Sequence, residues 1–202
     1  MMKELMEKDV APNPIQQFEI WWQEALNSGI EEVNAMTLAT VDKDNRPSAR
    51  IVLLKGFDEN GFVFFTNYHS QKAKDMEGNK HVSLVFFWKE LERQVRISGI
   101  VKKISDKDSE QYFKSRPLIS RLGAWASDQS AIIESREVLE NKFRQLEEKY
   151  SDGNVPRPLH WGGYSVEPEM MEFWQGRSGR LHDRIEYSKQ LNSEWLIYRR
   201  SP

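Results

Sequence analysis

Between Trp161 and Arg184 the sequence runs WGGYSVEPEMMEFWQGRSGRLHDR, a stretch that carries a Gly-Gly pair, two tryptophans, three arginines and one histidine. If its second half is extended, period-two geometry puts Arg180, His182 and Arg184 on one face and Leu181 and Asp183 on the other. Guanidiniums flanking an imidazole at this spacing repel one another unless an anion or a carboxylate sits between them. An anionic ligand resolves that repulsion. A surface strand whose arginines pair with scattered Asp and Glu resolves it equally well, and the spacing leaves both open.

A second set of cationic and hydroxyl side chains is dispersed along the chain. Tyr112 and Arg116 stand at i,i+4 on a predicted helix with Ser120 a turn farther on, and a phenol, a guanidinium and a hydroxyl converging in this way make a phosphate clamp. The same spacing is compatible with Tyr112 packing in a core while Arg116 pairs with Glu110 or Asp128. Arg50, Lys55, Thr66, Ser70, Lys72, Gln129 and Ser130 complete a distribution that suits one or two phosphorylated small molecules held by side chains. Arg50 and Lys55 have odd separation, so in a regular strand they point to opposite faces and could serve two phosphates, unless the strand bulges near its end. Interleaved tryptophans and amides suit a planar aromatic cofactor, whose ring needs apolar walls and a few hydrogen bonds at its edge.

Other chemistries lack their residues. His69, His81, His160 and His182 show no HxH or HExxH spacing and there is no cysteine, so no zinc site and no disulfide is expected. No GxSxG elbow, GxxxxGK[ST] loop or GxGxxG loop occurs. With 29 basic and 31 acidic residues the formal charge is −2, which argues against a nucleic-acid binder driven by bulk charge and makes any anion site local. No apolar run approaches the ~18 residues of a membrane span, and the N-terminus lacks the apolar core of a signal peptide, so the expectation is a cytoplasmic protein with no membrane partner.

These side chains must be positioned by a chain of 202 residues, enough for one domain with a sizeable core. Residues 1–12 are polar and end at Pro12, and are expected to form a mobile arm. A helix follows, with Asn13 as N-cap, Pro14 at its first position, Gln16 reaching back, a stripe of Ile15, Phe18, Trp22, Ala25 and Leu26, and Ser28-Gly29 closing it. Short β-rich runs predict strands at 35–41, 48–56, 62–67, 82–88 and 93–104, with a short helix from about Gln71. Antiparallel strands at this spacing suggest a barrel, and IVLL, FVFF and VSLVFFW, apolar on both faces, must be covered twice, by the barrel interior and by helices or a second subunit. Helices are expected at 107–116 and from Pro117 to about Ala126, and an amphipathic helix packing on the barrel at 130–150 with Ile132, Leu139, Phe143, Leu146 and Tyr150 as its stripe. Final strands are expected near 182–188 and 194–200, with no internal repeat or domain boundary. The fold class is thus mainly β with flanking helices, α+β, in a single domain over 1–202.

The segments RIVLLK (50–55), FTNYHSQKA (65–73), LERQVRISG (91–99), YFKSRPLISRLGAWAS (112–127), Gln129-Ser130, VPRPLHWGGY (155–164) and EFWQGRSGRLHDR (172–184) resemble the pyridoxamine (pyridoxine) 5′-phosphate oxidase family. WGGY followed by EFWQG and RLHDR is the most specific part, and the resemblance runs in order from about Ala35 to the C-terminal RRSP. It implies an antiparallel FMN-binding split β-barrel that forms a homodimer with FMN at the subunit interface. Carried over by motif, FMN would contact Arg50, Ile51, Val52, Leu53, Phe65, Thr66, Gln71, Lys72, Gln94, Gln129, Ser130, Trp174 and Arg184. The substrate phosphate would meet Lys55, Tyr112, Arg116 and Ser120, and Arg180 and His182, the catalytic pair, would lie over the pyridine ring. The implied reaction oxidises pyridoxine or pyridoxamine 5′-phosphate at the 4′ carbon, passes electrons through flavin to O2, and yields pyridoxal 5′-phosphate and H2O2, with ammonia from the amine. Gln71 stands where many members carry Arg, Phe65 replaces a frequent Tyr, Ser165 follows WGGY where Arg is common, and RRSP replaces RLAP.

Overall fold

The computed structural model describes residues 4–202. Helix α1 spans Pro14–Leu26, and its start follows from Asn13, whose Oδ1 accepts the Ile15 N–H at 2.8 Å ahead of Pro14. The amide that reaches back is Gln17, accepting the Ala11 N–H at 3.0 Å, rather than Gln16. The inward stripe also shifts: Trp21 is buried, while Trp22 is half-buried and Leu26 exposed. Phe18 is fully buried, with the rings of Phe57, Phe62, Phe86 and Trp88 at centroid distances of 4.8–6.0 Å. That aromatic knot seats α1 on the sheet, since apolar area removed from water and edge-to-face ring contacts both stabilise it.

The strands are β1 (Ala35–Val41), β2 (Pro47–Leu53), β3 (Gly56–Asp58), β4 (Gly61–Asn67), β5 (His81–Trp88), β6 (Arg93–Lys103), β7 (Trp161–Gln175), β8 (Asp183–Lys189) and β9 (Trp195–Arg199). Among the described residues they form one antiparallel sheet in the order β2-β1-β5-β6-β7-β4-β3, with β8 on the far half of β7 and β9 beyond it. The sheet curls around a core of Leu38, Phe64, Leu84, Phe86, Val95, Ile97 and Phe173 as a split barrel. The strand expected over 48–56 divides at Leu54-Lys55, where Leu54 N–H donates to the Asn34 carbonyl and Lys55 N–H to the Val63 carbonyl, each at 2.8 Å. Lys55 therefore sits off the strand, and the parity that set it opposite Arg50 does not apply.

Four more helices flank the sheet: α2 (Gln71–Gly78), α3 (Asp106–Ser115), α4 (Leu118–Ala126) and α5 (Arg136–Lys149). Ser105 caps α3 by accepting the Asp108 N–H at 3.0 Å. The helix expected at 130–150 begins six residues later, at Arg136, and Ile132 is fully exposed. Its Phe143, Leu146 and Tyr150 pack on a small separate core of Phe113, Leu122, Val155 and Trp161, not on the barrel. Of the arm expected at 1–12, residues 1–3 lie outside the described residues, and the rest runs along β8 and β9 with Leu5 buried.

Candidate active site

A cleft of ≈ 1020 Å³ opens between the β2 edge, the end of β4, α2 and the α3–α4 elbow. From β2 come Arg50, Ile51, Val52 and Leu53, with Lys55 just beyond it. The end of β4 supplies Phe65 and Thr66, and the first turn of α2 supplies Gln71 and Lys72. Tyr112 on α3, Arg116 at its C-cap and Ser120 on α4 face them, and the following loop adds Gln129 and Ser130. Fourteen of the residues expected at a ligand site thus line one cavity.

Its electrostatics are unbalanced. Lys72 is buried, and its Nζ meets only neutral oxygens: Thr66 Oγ1 at 3.2 Å, Gln129 Oε1 at 3.1 Å and Ser70 Oγ at 3.4 Å. Burial, helped by the nearby Arg50 charge, pulls its pKa below the usual lysine value. Arg116 makes no ion pair among the described residues; its guanidinium lies 4.6 Å over the Trp161 ring and its Nη1 is buried without a hydrogen-bond partner. Burial lowers its pKa as well. A buried donor left unmade costs about 1–3 kcal/mol, so the cleft is built for something that accepts there.

Arg50 is the exception. It donates to Leu38 O, Thr40 Oγ1 and Ser48 Oγ at 2.6–3.2 Å and lies 3.8 Å from the buried Asp75 carboxylate. Burial pushes Asp75 up, but hydrogen bonds from Thr40, Gln71 and Ser48 and the Arg50 charge outweigh it, and its pKa falls below the ordinary carboxylate value. Gln71 is held in the same knot, its Nε2 donating to Asp75 Oδ1 at 2.8 Å while its backbone N–H donates to Ser130 Oγ at 3.2 Å. Ser130 itself sits at φ 71°, a left-handed conformation that a non-glycine adopts only when its surroundings hold it there. Asp75 escaped the sequence reading; its signal was being the acidic residue one turn after Gln71 on the same helix face.

The apolar wall is a slab of parallel rings. Phe65 stacks on Tyr112 with centroids 3.9 Å apart and on Trp161 at 5.3 Å, with interplanar angles of 18° and 11°. The WGGY glycines make this possible, because a Cβ at Gly163 would overlap Ile104 and press on Phe65, and one at Gly162 would overlap the Tyr68 hydroxyl. Trp161 is the second residue the sequence reading missed at the cleft, although it opens that motif.

Gln94, Trp174, Arg180, His182 and Arg184 do not line the cleft of their own chain. Gln94, Trp174 and Arg184 are instead cross-strand partners on β6, β7 and β8, in one row with Phe87 of β5 on the outer face of the sheet. The shared extended face expected for Arg180, His182 and Arg184 is not formed. β8 begins only at Asp183, and Arg180 closes a 3-10 turn at φ 61° after Gly179 at φ 65°. His182 packs against Trp174 at a ring distance of 4.6 Å, and its Nδ1 accepts the Arg177 N–H at 3.1 Å, so the neutral ring carries its proton on Nε2. Arg184 already has a carboxylate, Glu172, at 2.6 Å, and that buried Glu172 also meets Arg96 at 3.5 Å. His69, His81 and His160 stand apart from both groups, and no cluster suited to a metal ion occurs among the described residues.

An antiparallel split barrel with helices over a cation-rich cleft defines a class of small-ligand binding proteins, and comparison with known proteins narrows it. Residues 22–150 match the family described as pyridoxamine 5′-phosphate oxidase, and residues 161–202 match the pyridoxine 5′-phosphate oxidase C-terminal dimerisation region. The pyridoxine/pyridoxamine 5′-phosphate oxidase of Nostoc sp. strain PCC 7120 is 56% identical over 198 residues, covering 98% of this chain and 92% of that protein. Among solved structures, PhzG from Burkholderia lata 383, in complex with tetrahydrophenazine-1-carboxylic acid, superposes with a TM-score of 0.93 at 28% identity, over 100% of this chain and 99% of that one. A pyridoxamine 5′-phosphate oxidase-related, FMN-binding protein from Nostoc punctiforme PCC 73102 shares the fold at a TM-score of 0.75 and 17% identity, over 96% and 100% of the two chains. The chain belongs to the pyridoxamine 5′-phosphate oxidase family and is an oxidoreductase.

Proposed function

We propose that this protein is an FMN-dependent oxidase that converts pyridoxine 5′-phosphate or pyridoxamine 5′-phosphate, with O2, to pyridoxal 5′-phosphate and H2O2. The observation that carries this reading is the cleft's surplus of cations without carboxylates, buried Lys72 with only neutral partners and half-buried Arg116 with an enclosed, unpartnered Nη1, facing a slab of stacked rings. Phosphates and a planar ring system satisfy both features at once. Lys72, Thr66, Gln129 and Ser130, with the Arg50–Leu53 strand edge, would hold FMN. When bound, FMN supplies the two-electron acceptor and returns the electrons to O2.

Tyr112, Arg116, Ser120 and Lys55 clamp the substrate phosphate and fix its distance from the cofactor, which turns a collision into a positioned reaction. Gln94, Trp174, Arg180, His182 and Arg184 then serve the cleft of a second copy, which makes the working unit a homodimer with the cofactor between subunits. Trp174, Arg180, His182 and Arg184 fall inside the matched dimerisation region, and the outer sheet exposes Ile51 and Phe87 at 64% and 60%, apolar area that a partner would cover. Arg180 clamps and orients the substrate ring. His182 presents Nε2 as its proton-bearing atom, the point at which it donates to the substrate. The absence of cysteine fits a reducing cytoplasm, and among the described residues no helix is long and apolar enough to cross a membrane.

The test is direct. The purified protein should absorb at about 450 nm as a flavin chromophore does and should release H2O2 when given pyridoxine 5′-phosphate under air. A yellow protein that makes no H2O2 contradicts the oxidase reading and leaves a flavin binder.

A further inference from the structure

We infer that residues 4–7 form a strap that fixes the loop 176–182, and that Asp183 is the positioning residue through which the strap acts on His182 and Arg180. This rests on the proposed role of those two side chains. Three links run from the strap to the loop. The Leu5 N–H donates to Asp183 Oδ2 at 3.2 Å, and Leu5 itself is buried. Glu4 pairs with Arg177 at 2.6 Å, and Arg177 Nε lies 3.5 Å from Asp183. Glu7 receives Arg199 Nε at 2.6 Å and Nη2 at 3.0 Å, while Arg199 also donates to Asp183 Oδ1 at 2.9 Å and to the Leu5 carbonyl at 2.7 Å.

Asp183 directly follows His182, and Arg177 donates its backbone N–H to His182 Nδ1. The two residues the strap grips are therefore the two that aim the imidazole. An isolated exposed ion pair contributes little, but here Arg177 and Arg199 converge on one carboxylate whose side chain is 14% exposed, and the strap's ordering is offset by burying Leu5. The loop needs holding. Arg180 occupies a left-handed conformation beside Gly179, which is unfavourable for a non-glycine, so a released loop would relax away from it.

The holoenzyme of the double variant Glu4→Gln/Glu7→Gln tests this without touching the loop, the cleft or Asp183. Expected are faster amide hydrogen exchange confined to 177–182 and a kcat lowered about tenfold by misplacement of the loop side chains, with KM for pyridoxine 5′-phosphate little changed because its phosphate clamp lies elsewhere. Parental kcat, or exchange that rises evenly over the whole chain, would overturn the inference, the second because it is what mere loss of stability gives. If the parent protein itself makes no H2O2, the oxidase reading fails, and exchange over 177–182 alone still decides whether the strap holds the loop.

Discussion

The cleft and the 176–182 loop with its neighbouring strands use the same residue types to opposite ends. In the cleft, buried Lys72 and half-buried Arg116, whose Nη1 is enclosed, pair with no carboxylate. On the loop side most arginines are matched, Arg177 by Glu4 and Asp183, Arg184 and Arg96 by Glu172, Arg199 by Glu7 and Asp183, Arg200 by Glu186, while Arg180 is exposed and has no ion pair among the described residues. Cation density along the sequence is therefore a poor guide to where an anion binds. What marks the anion site is a buried positive group with nothing of opposite sign beside it, because only there does an incoming phosphate replace a missing partner rather than compete with a resident one.

If that contrast holds, removing a cleft cation should damage binding and spare stability, and removing a carboxylate of the matched region should lower stability. The largest effect is expected for Arg116→Ala, which should raise KM for the phosphorylated substrate by about 10–100-fold with kcat nearly unchanged, since the contact is shared by ground and transition states. A collapse of kcat at constant KM in steady-state assays would contradict it. Next, Lys72→Met should weaken FMN binding by about tenfold in a fluorescence titration yet leave the Tm of the flavin-free protein equal or higher, because a desolvated cation is replaced by an apolar isostere. A fall in that Tm would place Lys72 with the structural charges instead. Glu172→Gln should act in the opposite sense, lowering stability by about 1–2 kcal/mol in urea unfolding, an amount held down by the partial exposure of Arg96 and Arg184.

Gln71→Ala should change FMN affinity by less than about threefold, as its amide is committed to Asp75, and a tenfold loss would show that the side chain turns to the cofactor. The smallest effect is a titration. Glu7, whose pKa is drawn down to about 2 by its bonds from Arg199, contributes stability that is present above its ordinary value of 4.5 and is lost as the pH falls towards 2. NMR of the Glu7 carboxyl should follow that low midpoint, and one near 4.5 would mean that the pair with Arg199 is not formed in solution.

The cleft was legible in the sequence because its members act through local spacing and short motifs. Tyr112, Arg116 and Ser120 keep their turn-to-turn relation even though Pro117 breaks the helix between them, and Arg50 to Lys55 stay contiguous around the end of β2. The strand run from Ala35 to Lys103 was legible for the same reason, its turns being marked by Asp, Asn and Gly. β7 was not. Gly162, Gly163, Pro168 and three glutamates make a poor strand in isolation, and it forms because β6 flanks one side from Tyr164 onward while β4 and β8 share the other. The loop misled because its alternation of Arg and His looked extended, whereas Gly179 and Arg180, both left-handed, make the turn and Asp183 finds its partners in Leu5 and Arg199. A contact across 178 residues leaves no mark on local pattern.

The claim that most needs testing is that one working site takes its cleft from one chain and its Arg180, His182 and Arg184 from another. Two variants, Lys72→Ala/Arg116→Ala and His182→Ala/Arg184→Ala, should each have little activity alone. After unfolding, mixing in equal amounts and refolding with FMN, half the dimers of a two-fold assembly are mixed and each mixed dimer has one site free of substitutions, so H2O2 production should recover to about a quarter of the parent rate. Mixed dimers that form, as shown by mass spectrometry, yet stay inactive would contradict the shared site and return all five outer residues to the chain that carries them.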